Sequence, residues 1–244
     1  MMNKYFLFLL ICMLGFNAAT QAQYTLHGKI EYERKTNLHK LWEEDSWMDS
    51  WKDKMPTFII NYFNLAFTTS QSHYTPGREV EAPKIAWGLP PGSDNDIFQD
   101  YSQGKVIAAK NIYEEHFLIN DQQQKHVWKI SSEIRTIAGY KCRKAVTRIC
   151  DSVYVVAFYT DDIPVSGGPE QMCGLPGMIL EMAVPRLYTT WVATKVELIP
   201  VTPKDLVAPS KGKAMNIEQL EAKIQLSLSD WGKTGKRNIW WSML

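Results

Sequence analysis

Apolar and polar positions alternate in GKIEYERKTN (28–37), the period-two signature of a strand with one buried face. IINYFNLAFTT (59–69) is rich in β-branched and aromatic residues and predicts a second strand. From residue 104 onward such runs come at short spacing. KVIAAK, IYEEHFLI, KHVWKI, YKCRKAVTRI and VYVVAFYT follow one another in the cadence of an antiparallel meander. VYVVAFYT (153–160) is apolar on both faces, as suits a central strand covered from two sides, and CDS (150–152) before it reads as a hairpin turn. MILEMAV (178–184) and TTWVATKVELI (189–199) supply the next strands.

Helical spacing shows in two places. Ser46 is a capping residue with Asp49 three positions on, and Trp47, Met48, Trp51 and Met55 form a stripe that Pro56 ends. Asn216 caps a second helix, with Gln219 as its capping-box partner. Ile217, Leu220, Ile224, Leu228 and Trp231 share one face, and Gly232 marks the stop. The apolar tail IWWSML is expected to pack back onto the sheet. Residues 74–96, rich in proline and glycine, predict a loop with a short edge strand at KIAW, and 161–177 predicts a second long loop. Together these elements predict an α+β fold. About ten strands form a mainly antiparallel, strongly curved, half-barrel-like meander, covered by two or three helices.

Size and composition are consistent with one such domain. Of 244 residues, 45% are hydrophobic and 12% aromatic, enough for a single substantial core. Residues 1–22 fit a secretory signal peptide: Lys4, then the apolar run 5–16, then a small-residue cleavage region ending at Ala22. The expected mature domain is therefore 23–244, with a periplasmic, secreted or outer-membrane-associated location. Loss of Lys4 leaves a mature chain with no net charge, which argues against general nucleic-acid binding. No other stretch is apolar for long enough to cross a membrane as a helix. An oxidising compartment favours disulfide formation among Cys142, Cys150 and Cys173. A 142–150 bridge is poor across a hairpin turn. Cys142–Cys173 is preferred, with Cys150–Cys173 and three free thiols as alternatives.

Catalytic signatures are sparse. There is no G-x-S-x-G elbow, H-E-x-x-H pair, phosphate-binding glycine loop or C-x-x-C. PVSGG lacks the leading glycine that would make Ser166 a nucleophile. His27, His39, His73, His116 and His126 show no ligand spacing, so a soft-metal (copper-type) carrier built with Met172, Met178, Met182 and Cys173 is only an alternative. Asp162 and Glu181 would suit a hydrolase if a cleft brought them together. No cofactor is expected, and no residue is assigned a catalytic or metal-binding role.

Four ordered blocks carry a resemblance: WKI (128–130), GYKCRKA (139–145), AFYTDDIPVSGGP (157–169) and GLPGMILEM (174–182). Their order resembles the GLPGLI family of exported Gram-negative envelope proteins. The matching positions include Asp162, Pro164, Gly168, Pro169, Gly174, Leu175, Pro176, Gly177 and Glu181. The family has no assigned activity. Its occurrence beside TonB-dependent receptors implies an envelope role with an outer-membrane partner. With an aromatic-rich sheet, this favours non-enzymatic binding of an apolar or peptide-like ligand. The GLPG stretch itself reads as a type II turn, in which Leu175 is extended, Pro176 fixes φ and Gly177 supplies a positive φ.

Overall fold

The first predicted strand forms over the residues that alternate. β1 (Gly28–Asn37) buries every second side chain, among them Ile30, Tyr32 and Arg34, and leaves the charged set between them partly in water. The structure, a computed structural model, describes residues 26–43, 50, 52–80, 89–112, 115–150 and 152–244. The expected signal peptide (1–22), residues 46–49 and 51 of the helix expected at 46–55 and the KIAW strand lie outside the described residues, and Lys52–Lys54 forms a single 3-10 turn.

Around β1 the chain builds one twelve-stranded sheet. On one side lie β2 (Phe58–Phe67), β3 (Gln71–Pro76), β4 (Asp96–Asp100), β5 (Lys105–Ile112) and β6 (Glu115–Gln122), paired in sequence order. On the other side the chain returns from the far edge through β7 (Lys129–Ile137), β8 (Tyr140–Ile149), β9 (Val153–Thr160), β10 (Met178–Val184) and β11 (Thr189–Glu197), which pairs with β1. β12 (Lys213–Met215) runs parallel to β6. The sheet is therefore open and mixed, with every other pair antiparallel. Short hairpins set the registers: Ala138 and Gly139, both at positive φ, turn β7 into β8.

One connection constrains the shape. Residues 123–128 link β6 to β7, which lie ten positions apart in the sheet order. Laid flat, that separation is about 48 Å, yet such a link reaches no more than about 25 Å. The sheet must bend its two ends toward each other.

Helices α1 (Leu38–Leu41), α2 (Ile217–Ser227) and α3 (Gly232–Met243) complete the fold. Asn216 caps α2 in a reciprocal capping box with Gln219, as the sequence predicts. Leu220, Ile224 and Leu228 enter the main core beside Phe117 and Ile119. Trp231 stays half exposed at the end of a short 3-10 turn (Ser229–Trp231) that separates α2 from α3, and Gly232 at φ 53° opens α3. The tail packs inward as expected: Trp241 and Leu244 join Trp191, Leu187 and Met182 in a second core.

The cysteines correct the disulfide expectation. Cys142, Cys150 and Cys173 are all free thiols. Cys142 is held in the β8 ladder opposite Arg135 of β7, with its Sγ directed at Tyr140 O. Cys173 sits in the 161–177 loop, where its carbonyl accepts from the Trp128 indole at 2.9 Å. Burial pushes both thiols up to about 11, so neither supplies thiolate at neutral pH.

Candidate functional site

The loop between β9 and β10 crosses from one core to the other and is largely buried from Val165 to Cys173. Val165 and Ile163 anchor it in the main core, and Met172 and Leu175 in the second. Within it, Ser166 Oγ accepts from Gly174 N at 2.8 Å, which closes the loop on itself and uses the hydroxyl structurally. The sharp corner falls at Gly174, at φ +93°, and not at Gly177, which lacks a positive φ. The type II assignment for GLPG is thus corrected. Gly177 is required for another reason: a Cβ there would stand 2.0 Å from Thr160 O.

The remaining predicted positions scatter. Asp162, Pro164 and Pro176 are exposed, while Gly168 and Pro169 are buried, with Gly168 against Ile179. Glu181 is bound to Arg135 at 2.8 Å. Its engagement in an ion pair, with Asp162 left in solvent, is not the arrangement of a general acid and base across a cleft. Met178 fills the main core, and Met172 and Met182 the second. Among the described residues no three His, Cys, Asp or Glu side chains gather to hold a metal.

A groove of about 520 Å³ lies between this loop, the β4–β5 turn and the link 123–128. Gly174, Cys173 and Ser166 form one wall, Tyr101 and Gly104 another, and Gln122, Gln123, Gln124, Lys125 and His126 the third. Its frame is fixed by hydrogen bonds. Gln123 N donates to Gly104 O at 2.8 Å, the Gln123 amide donates to Gln99 at 2.9 Å, and Tyr101 OH bonds Ser72 at 2.6 Å. His126 stacks edge-on with Trp128 at 6.1 Å. Burial pulls its pKa below the usual histidine range, so the ring is neutral at pH 7. The groove has no carboxylate in its lining.

A buried charge cluster stiffens the same loop from below. Glu170, at φ 56° and fully buried, accepts from Asn95 at 2.7 Å, Trp191 at 3.2 Å and Tyr74 at 3.4 Å. Arg34 donates to Asn61, Gly92 O and Pro91 O, with Phe63 and Trp241 against its guanidinium. Lys110 donates to Ser242 O at 2.9 Å, capping the end of α3.

Burial holds the Lys110 ammonium down to about 8. Its folded pKa lies below the ordinary 10.5, so between these values the unfolded chain binds a proton that the folded one does not. Stability contributed by this site therefore rises as pH rises from about 8 to 10.5. The difference in unfolding free energy between wild type and Lys110→Met is expected to shift in favour of wild type between pH 7.5 and 10. A pH-independent difference in urea unfolding would show that Lys110 titrates normally.

Sequence and structure comparisons bear on this site. The family described as N-glycanase peptide, N-terminal domain, matches residues 97–223, more than half of the chain. The chain belongs to the N-glycanase N-terminal domain family. That match overturns the GLPGLI resemblance, and the receptor partner that the resemblance implied loses its basis. Two solved structures of PNGF-II, in space groups P21 and C2, share the fold with TM-scores of 0.53 and 0.52 at 16% and 17% identity. They cover 81% and 88% of this chain, which in turn spans 33% of each of theirs, about one third of their length. No curated protein matches in sequence. Both the motif loop and the glutamine wall lie inside the matched region of this N-glycanase-type domain.

Sequence reasoning passed over the groove. QQQ (122–124) is a polar run without periodicity between two predicted strands, and Lys125 and His126 open the expected strand KHVWKI.

Proposed function

We propose that this domain is a non-catalytic binding module for neutral glycans carried on polypeptide. The observation that carries the reading is the groove lining. The Gln122 and Gln124 side-chain amides make no hydrogen bond within the described protein, and each offers a donor and an acceptor side by side. Adjacent sugar hydroxyls and acetamido groups present the complementary pattern, and neutral His126 adds one more donor or acceptor. A pocket of this size with a few convergent polar groups is the usual form of a small-ligand site. Membership in an N-glycanase N-terminal family supports a glycan as the ligand class. The polar walls favour this over a purely apolar ligand, and no hydrolytic step is assigned to Asp162 and Glu181. On the sequence of residues 1–22 alone, we also propose that the chain is exported.

Titration of the isotope-labelled protein with N,N′-diacetylchitobiose and with an asparagine-linked oligosaccharide tests the reading. Amide shifts are expected at 101–104, 122–126 and 166–174, with affinity near the millimolar range, about −4 kcal/mol. The Gln122→Ala/Gln124→Ala variant is expected to bind about tenfold more weakly, through loss of hydrogen bonds to the sugar, at unchanged thermal stability. Shifts confined to other surfaces, or none at millimolar sugar, would remove the assignment.

A further inference from the structure

β7 is an edge strand, paired only with β8, and every residue from Lys129 to Thr136 is exposed. An unpaired strand edge presents a row of backbone donors and acceptors that only another extended chain satisfies in full. Ile130 and Ile134 stand 49% and 62% exposed along it, and Val127 just before it is 83% exposed. The β7–β8 hairpin also concentrates charge. Lys129, Arg135, Lys141, Arg143, Lys144 and Arg148 face a single acid, Glu133, in a chain whose overall charge is +1. Glu133 and Glu181 engage Arg135 and Lys144. Lys129, Lys141, Arg143 and Arg148 have no ion pair among the described residues.

We propose that the β7 edge docks an extended acidic peptide as an additional strand. The cations alone would suit any polyanion; the open backbone edge and the exposed isoleucines select a peptide. The excess positive charge disfavours a second copy of this hairpin at the edge, since like charges would meet. β7 follows directly from the 122–126 segment that lines the groove, so a docked peptide lies in continuity with it. The source of such a peptide, a glycan-bearing polypeptide, rests on the function proposed above; the docking surface does not.

Fluorescence anisotropy with the full chain tests this, using a labelled nonapeptide that alternates glutamate with valine and carries no sugar. Two further versions are N-methylated on one or the other alternate set of backbone amides. The unmodified peptide is expected to bind, and one methylated version to bind on the order of tenfold more weakly, because it cannot complete the ladder. The Lys129→Glu/Lys141→Glu/Arg143→Glu variant is expected to lose a similar factor at unchanged melting temperature, while its chitobiose titration stays as in wild type. Equal binding of all three peptides, or binding of heparin without binding of peptide, reduces the surface to a charge patch and overturns the proposal. A dimer in light scattering that the peptide fails to dissociate also overturns it, by giving the edge to a second copy. Failure of the peptide with intact chitobiose binding sinks this surface and leaves the groove standing.

Discussion

Gly177→Val is expected to destabilise the domain by about 3 kcal/mol and to lower its melting temperature by roughly 10 °C. The cause is steric and local. A Cβ at this position would lie 2.0 Å from Thr160 O and 2.7 Å from Thr160 C, both backbone atoms. Thr160 is the last residue of β9 and pairs with Met178, the first of β10. Its carbonyl cannot retreat without opening the β9–β10 ladder. Gly177→Ala meets the same obstacle and is expected to lose nearly as much, since the clash begins at Cβ. Pro176→Ala, at an exposed position, is the control and is expected to shift the melting temperature little. Circular dichroism melts of the three variants decide the matter. An alanine variant as stable as wild type would mean that the two strands do not approach as closely as the structure shows.

Arg34→Ala is expected to destabilise the domain by about 3–5 kcal/mol, the range for breaking a buried charged network. Arg34 is 1% exposed, and its guanidinium serves Asn61, Pro91 O and Gly92 O at once. Removal leaves these acceptors without their donor and deprives buried Glu170 of a neighbouring positive charge. It also removes the flat cation between Phe63 and Trp241, loosening the seat of α3. Arg34→Lys keeps the charge but loses the fork that bonds Asn61 and the 91–92 carbonyls together. An intermediate loss is expected from it. Urea denaturation measures both. An alanine variant within 1 kcal/mol of wild type would show that the cluster is dispensable.

Much of the strand order is legible in the sequence. The boundaries 28–37, 140–149, 153–160 and 178–184 appear in the structure as β1, β8, β9 and β10: β1 alternates strictly, and the other three are runs of β-forming residues set off by turns, with most of β9 and β10 buried. β7 is the instructive exception. Its expected position, 125–130, is displaced, and the strand runs from Lys129 to Ile137. Its side chains are exposed on both faces, so SSEIRT carries no alternation for a pattern reading to detect. β3, β4 and β12 are short and flank irregular segments, and they too lack a readable period.

The site was less legible. The sequence predicts that Gly177 is required for a positive φ in its turn, but the required property is the absence of a Cβ beside Thr160 O. A sequence shows that a glycine is present; only the approach of a distant backbone shows why. The Cys142–Cys173 expectation follows from an oxidising compartment and from a hairpin that keeps Cys142 away from Cys150, but the structure places Cys142 and Cys173 in separate neighbourhoods as free thiols. Gln122–Gln124 carries no pattern that marks it, since a ligand wall requires convergence and not periodicity.

Local chemistry therefore determined the elements: the alternation of β1, the two-sided apolarity of β9, the Asn216–Gln219 cap of α2 and the inward tail. These depend on neighbours within a few residues, which the sequence states directly. Tertiary structure alone decided the link 123–128 between the two ends of the sheet, the burial of Arg34 and Lys110 near Glu170 of the β9–β10 loop, and the open edge of β7. Each arises from residues far apart in the chain, brought together because an open sheet that bends its ends toward each other must bridge them.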